Sequence, residues 1–113
     1  MSTMPRLTTP PEMPREVAGA IETIGNRART ELLHQLGTCG PLTTTELADR
    51  IAAPRTSTHT HLVQLERAGL VVADEATGQR RGRTVRWSLN RQKVREAADA
   101  WSAYANGEPP ACV

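Results

Sequence analysis

Apolar residues recur every three or four positions along much of this chain, which is the spacing of helices that bury one side. A first stripe runs from Pro14 to the break at Gly25 and predicts a helix. Its apolar members are Val17, Ala20, Ile21 and Ile24. A second helix is predicted to end at Gly37, where "GTCGP" forms a turn. Its inward side consists of Ala28, Leu32 and Leu36.

Two further helices are predicted on either side of Pro54. In "TTTELADRIAA", Thr43 and Glu46 have the spacing of a capping box, which starts a helix by satisfying its free amides. The next helix extends from about Arg55 to Ala68, before Gly69. Its buried side is predicted to carry Thr58, Leu62 and Leu65.

The pattern then changes to the alternation of a half-buried strand. "LVV" and "TVRWSL" predict two strands, joined by "EATGQRRGR" as a flexible hairpin tip. A last helix is expected after Asn90, which can cap it. Its apolar stripe consists of Val94, Ala97, Ala98, Trp101, Tyr104 and Ala105. Four helices, a β-hairpin and a fifth helix make a mainly α fold of the winged helix-turn-helix type.

Composition limits how this fold is built. The 113 residues are enough for one domain, and with no Phe, two Trp and one Tyr the core must be mainly aliphatic. Small domains bury little surface, so such a core often continues into a partner. Residues 1–13 and 107–113 are expected to be a flexible arm and a flexible tail around a domain at 14–106. No apolar run approaches the ~20 residues of a membrane span and no signal pattern is present, so we expect a cytoplasmic protein.

The positive charge is concentrated in one stretch of the chain. The formal net charge is only +2, but residues 79–95 hold six Arg and one Lys with no acidic residue. The segments before and after it are both net acidic. A basic cluster of this kind is typical of proteins that bind polyanions.

A longer segment carries a family resemblance. "NRARTELLHQLGTCGPLTTTELADRIAAPRTSTHTHLVQLERAGLVV" resembles the ArsR-type winged-helix repressors, which are dimeric bacterial transcription regulators, and shares part of its pattern with MarR-like groups. Its most specific pieces are "LTTTELADRI" and "HLVQLERAGLV". The chain departs from the family at the motif turn, which reads "AAP" instead of containing glycine, and in its longer wing loop. The resemblance implies a dimer formed by the first and last helices. The candidate interface residues are Val17, Ile21, Ile24, Val94, Ala98, Trp101 and Tyr104.

The fourth helix has a polar side opposite its predicted buried side, at ~100° per residue. Recognition helices contact base edges with their N-terminal half, where arginine reads guanine and hydroxyl groups reach bases or phosphates. The alternative is that this side simply faces water, as on any surface helix. The candidate DNA contacts are Arg55, Thr56, Ser57, His59, Thr60 and Gln64.

The hairpin that follows, residues 75–86, is the predicted wing. Arg80, Arg81 and Arg83 lie on a tip that Gly78 and Gly82 keep pliable. Guanidinium groups suit both phosphates and narrow minor grooves, so we expect the tip to lie along a flanking duplex.

Arg86 lies on the outward face of the second strand and has two possible roles. It is either another phosphate contact or a cross-strand partner of Asp74 or Glu75, and the sequence favours neither.

No metal site, cofactor or catalytic set is predicted. His59 and His61 diverge by about 160° on a helix, and the cysteine and histidine sets of the arsenic-type and zinc-type family sensors are absent. Cys39 is expected to be a turn residue near the dimer core and Cys112 to be incidental, without a disulfide. No nucleophile elbow, P-loop or HExxH motif indicates an enzyme.

The sequence therefore predicts a homodimeric regulator, a repressor rather than an activator, that binds an inverted-repeat double-stranded DNA operator. Two alternatives stay open. One is an accessory or protein-interaction module of a plasmid, phage or partition complex. The other is a metal-responsive or thiol-responsive sensor.

Overall fold

The computed structural model describes residues 13–75 and 84–108. Within them, five helices surround a small antiparallel sheet with the strand order β1-β3-β2. The elements are α1 (Arg15–Ile24), α2 (Arg27–Cys39), β1 (Leu42–Thr43), α3 (Thr44–Ile51), α4 (Arg55–Arg67), β2 (Val71–Ala73), β3 (Arg86–Leu89) and α5 (Arg91–Ala105). The predicted order of helices and hairpin strands is confirmed, and the fold is a winged helix-turn-helix.

Side-chain caps fix where three of the helices begin. The amide of Glu46 donates to Thr43 Oγ1 at 3.1 Å and the amide of Thr43 donates to Glu46 Oε1 at 2.9 Å, so the predicted capping box of α3 is confirmed. Asn90 caps α5 as predicted, through the amide of Lys93 at 3.1 Å. Asn26 caps α2 in the same way. These bonds satisfy amides that a helix start otherwise leaves open.

The end of α2 differs from the prediction. The helix continues through Gly37 to Cys39, and the glycine with positive φ, 82°, is Gly40. A Cβ at Gly37 would lie 3.3 Å from Leu89 Cδ2, so glycine here allows α2 to pack closely against β3. The prediction that Cys39 lies in a turn is also wrong, since it is the last residue of α2, and it is exposed in the single chain.

The sheet has one strand more than the sequence predicted. β1 pairs with β3 through Leu42 opposite Trp87 and Thr43 opposite Arg86. A two-residue strand is too short to show the alternation on which the prediction depended. Its pairing joins the wing strand to the start of α3.

The core lies between α2, α3, α4 and the sheet. It is aliphatic as predicted, apart from one tryptophan, Trp87, whose Nε1 donates to Thr44 Oγ1 at 3.0 Å. The buried members are Leu32, Leu36, Leu42, Leu47, Leu62, Leu65, Leu70, Val71 and Trp87. By contrast, α5 packs against α1 and has no fully buried residue of its own.

The turn between α3 and α4 explains one departure from the family pattern. Ala52 adopts the left-handed conformation, with φ 55° and ψ 49°, that glycine usually provides. This conformation is about 1 kcal/mol less favourable for alanine than the right-handed one. The amide of Ala53 donates to Ala48 O at 3.0 Å and closes the turn.

Among residues 13–75 and 84–108, no helix is both long enough and apolar enough to span a bilayer.

Candidate nucleic-acid interface

The outward side of α4 is polar and open. Thr58, Leu62 and Leu65 are buried as predicted and anchor the helix in the core. Arg55 and Thr56 lie at its N-terminal end, which no side chain caps. All six predicted contact residues of this helix are exposed, namely Arg55, Thr56, Ser57, His59, Thr60 and Gln64. Their side chains are therefore accessible to a ligand that extends along the helix.

The hydroxyl groups on this side are oriented by their own helix. Thr60 Oγ1 donates to Thr56 O at 3.1 Å, and Ser57 Oγ donates to Pro54 O at 3.2 Å. Each oxygen keeps its acceptor lone pairs on the exposed side. Thr60 and Ser57 therefore present acceptors, and release a donor only by giving up the bond within the helix.

His59 joins α4 to the wing strand. Its ring lies edge-on to that of Trp87, with the centroids 6.1 Å apart and the planes at 68°. Because Trp87 is also bonded to Thr44 in α3, the contact fixes the wing strand relative to both helices of the motif. The predicted DNA contact His59 thus also has a packing role.

Arg86, the described arginine of the wing, is held by a residue that the sequence did not indicate. Its guanidinium lies 3.9 Å from Glu46 of α3, and both side chains are about half exposed. Asp74 accepts from the backbone amide of Arg86 at 3.0 Å instead of pairing with the guanidinium. Asp74 is therefore a cross-strand partner of the Arg86 backbone, whereas the Arg86 guanidinium lies next to Glu46. An exposed pair of this kind is weak, so Glu46 leaves Arg86 available to another anion.

The capping box also affects the charge of that partner. The hydrogen bond from the Thr43 amide lowers the pKa of Glu46, and the charges of Arg86 and Arg50 lower it further. Glu46 is consequently ionised at neutral pH.

The tip of the wing lies outside the described residues. This applies to Arg80, Arg81 and Arg83, and to the glycines Gly78 and Gly82. Their predicted contact with a duplex stays a prediction.

A contact beside α4 was missed by the sequence analysis. Arg29 Nε of α2 donates to His61 Nδ1 at 3.1 Å, across 32 positions of sequence. Partial burial lowers the pKa of His61, and the positive charge of Arg29 lowers it further. The contact keeps His61 neutral and ties the flank of α4 to α2. No local pattern indicates it, because the two residues meet only in the folded chain.

The described residues include no cluster of three or more His, Cys, Asp and Glu side chains that could hold a metal ion. His61 faces Arg29 and His59 faces Trp87, so the two histidines have separate neighbours.

Several apolar side chains of the packed helices α1 and α5 are exposed. We call them the α1–α5 face; they are Ile21, Ile24, Ala98, Trp101 and Tyr104. The four large side chains are 39–50% exposed. Two other predicted interface residues are already packed within the chain: Val17 is buried and Val94 lies against the core.

Residues 24–72 match the family model described as a helix-turn-helix domain. The remaining elements can be compared with solved structures. An ArsR-like transcriptional regulator from Rhodococcus sp. RHA1 is 23% identical, with a TM-score of 0.63 over 81% of each chain. The chain has the winged helix-turn-helix fold of ArsR-type regulators.

Two further solved structures share this fold. An ArsR family transcriptional regulator is 22% identical with a TM-score of 0.64, over 82% of this chain and 94% of the other. The second is the homodimeric winged helix-turn-helix DNA-binding domain of a possible ArsR-family regulator from Mycobacterium bovis. It is 20% identical with a TM-score of 0.59, over 80% of this chain and 79% of the other. No curated protein sequence matches the chain. The predicted resemblance is confirmed, since these regulators share the winged helix-turn-helix fold of this chain.

Proposed function

We propose that this protein is a homodimeric transcriptional repressor that binds an inverted-repeat site in double-stranded DNA. The main support is the position of the exposed polar side of α4 next to β3, the strand that follows the tip of the basic wing. The contact between His59 and Trp87 holds the two together. A helix and a hairpin fixed in this way can engage one duplex at the same time.

In this proposal α4 lies in the major groove. Arg55 and Thr56 are at its N-terminal end, where recognition helices contact base edges. Arg55 reads guanine through two parallel hydrogen bonds, and Thr60 and Gln64 contact the edges of neighbouring bases. The buried side chains of Leu62 and Leu65 keep the helix from rotating away from this register.

The wing, residues 75–86, lies on the sugar–phosphate backbone or in the minor groove. Arg86 reaches phosphate by exchanging its weak pair with Glu46 for a stronger bidentate one. Arg80, Arg81 and Arg83 add positive charge that does not depend on base sequence.

The α1–α5 face supports the dimer. Four large apolar side chains exposed on two adjacent helices are suited to burial against a second copy. A two-fold dimer presents two copies of α4 about one helical turn of DNA apart, at ~34 Å, which calls for an inverted repeat. The related domain from M. bovis is homodimeric.

Selection of bound duplexes from a random pool at near-physiological salt tests the proposal directly. We expect Arg55→Ala to cost ~1–3 kcal/mol on the selected site only, and to relax base choice at one position per half-site. Arg80, Arg81 and Arg83 changed together to Ala should weaken every duplex and lower the salt slope by up to roughly three per subunit. Arg95→Ala on α5 removes one positive charge elsewhere and serves as the control for Arg55→Ala.

Two results would contradict these assignments. If the variant without Arg80, Arg81 and Arg83 keeps the wild-type dependence of DNA affinity on salt, these arginines face solvent and do not contact DNA. Failure to select any sequence means that the protein does not read DNA.

The exposed α1–α5 face also suits a second candidate, an accessory module that binds another protein. This candidate predicts a monomer that selects no duplex. The sensor alternative predicts that zinc, a chelator or Cys39→Ser changes the affinity for the selected duplex, whereas the proposed repressor is indifferent to all three.

A further inference from the structure

A partly open cavity of about 570 Å³ lies between α1, the N-terminal half of α5 and the C-terminal end of α4. Its volume is in the range of small-molecule sites. It is separate from the residues assigned above to DNA and from the α1–α5 face. On α1, Gly19 of the cavity and Ile21 of that face point ~160° apart.

The apolar part of the cavity lining consists mostly of short side chains. Ala20 and Leu70 are almost fully buried there. Gly19, Ala68 and Ala97 complete it. Short side chains leave room for a flat or narrow apolar group to lie on them, so the cavity favours a ligand with an apolar body.

The charged groups around the cavity have an excess of positive charge. Lys93 Nζ lies 3.8 Å from Glu96, and the formal charges of these two side chains cancel. Arg15 and Arg67 form no ion pair among the residues that the structure describes. Glu16 is then the one carboxylate set against two guanidinium groups. Guanidinium binds carboxylate in a bidentate way that matches its geometry.

We propose that this cavity binds small organic anions, with the acid group held by Arg15 and Arg67 and the apolar body resting on Ala20 and Leu70. Arg67 is the last residue of α4, so an occupant contacts the proposed DNA-reading helix and the helices α1 and α5 at once. Occupancy therefore changes the affinity for DNA, and DNA changes the affinity for the anion by the same factor. This coupling, unlike the binding site, rests on the proposed function.

Calorimetry with sodium benzoate and sodium hexanoate, on the full chain without DNA, tests the site. Benzamide has the shape of benzoate without its charge and is the matched control ligand. We expect at least one of the two anions to bind, and benzamide to bind about tenfold more weakly than benzoate, the effect of losing one hydrogen bond to a charged group. Arg67→Gln and Arg15→Gln should each weaken anion binding by a similar factor. No binding of either anion, or equal binding of benzoate and benzamide, overturns the proposal.

Gly19 provides a pair of variants that fill the cavity to different extents. A Cβ added there would meet no heavy atom within 4 Å, and in a helix interior Ala is favoured over Gly. Gly19→Ala should fold at least as well as the wild type and keep anion binding. Gly19→Leu should occupy the cavity and abolish binding while its urea unfolding midpoint stays at or above the wild-type value. Undiminished binding by Gly19→Leu places the anion elsewhere and overturns the site.

The coupling is measured separately, as the affinity for the selected duplex with and without the anion. Anion binding with unchanged duplex affinity overturns the coupling and supports the site. Anion binding by a protein that selects no duplex supports the site and overturns the proposed function.

Discussion

Trp87 and Trp101 lie in regions that are packed in opposite ways. Trp87 is 0% exposed, at the centre of the helix-turn-helix and its sheet, and its indole nitrogen is hydrogen-bonded. Trp101 is 41% exposed, on a helix in which no residue is fully buried. The first region is complete within one chain, whereas the second leaves its largest side chains open. One small fold thus combines a helix-turn-helix core that is complete within one chain with a surface on which large apolar side chains are exposed.

The largest expected effect is on the complete region. Trp87→Ala removes a fully buried side chain and should lower the free energy of unfolding by ~3–5 kcal/mol. Because the packing lies within one chain, the loss should be the same at low and high protein concentration. Urea unfolding at two concentrations checks this, and a loss that grows with concentration would mean that Trp87 also stabilises an oligomer.

The second effect concerns the open region. Trp101→Ala should destabilise the dimer by ~2 kcal/mol or more, as for a large aromatic at the centre of an interface, and leave the monomer nearly as stable as before. Sedimentation should then show a shift towards monomer. A wild-type protein that is already a stable monomer at micromolar concentration would rule out this role of the α1–α5 face.

Within the complete region, the sequence predicted features of single helices but not contacts between distant residues. Patterns within one helix were sufficient for Thr58, Leu62 and Leu65 on the buried side of α4, and for the capping box of α3. Pairings between distant residues were not, because they arise only when elements meet. The bond of Arg29 to His61, the pair of Arg86 with Glu46 and the short strand β1 are all of this kind.

Gly37 shows a related limit. It resembles a helix stop in sequence, yet its lack of a side chain serves the packing of α2 against Leu89, which the sequence alone does not place nearby.

A third prediction tests how well the complete region is packed. The Thr58 hydroxyl is buried and has no hydrogen-bond partner among residues 13–75 and 84–108, so Thr58→Val should raise the free energy of unfolding by ~1 kcal/mol. The same change at Thr44 removes the acceptor of the Trp87 Nε1 bond and should lower it by ~1 kcal/mol. Thermal and urea unfolding compare the two variants. If both variants change the free energy of unfolding in the same direction, the hydrogen bonding of these hydroxyl groups does not determine the effect of the substitution.

The smallest effect is a pH dependence at the flank of α4. The pKa of His61 is lower in the folded chain than its ordinary value of about 6.5, so the unfolded chain binds more protons between the two values. Stability is therefore full above pH ~6.5 and falls as the pH drops through the folded pKa. His61→Gln should flatten this part of the stability profile, and the exposed His34→Gln should leave it unchanged. An unaltered profile for His61→Gln would contradict this assignment.

The bond between Trp87 and Thr44 has a consequence for the order in which the chain folds. The two residues are 43 positions apart, whereas α3 and α4 meet through neighbouring segments. Closing a long loop costs more conformational entropy than joining adjacent helices, and non-local pairing slows folding. We therefore expect the helical pair to form early and the docking of the wing strand to complete the core. With Trp101 replaced by Phe, Trp87 fluorescence would report that final step, and a single late phase would give the time at which the proposed DNA-binding surface is complete.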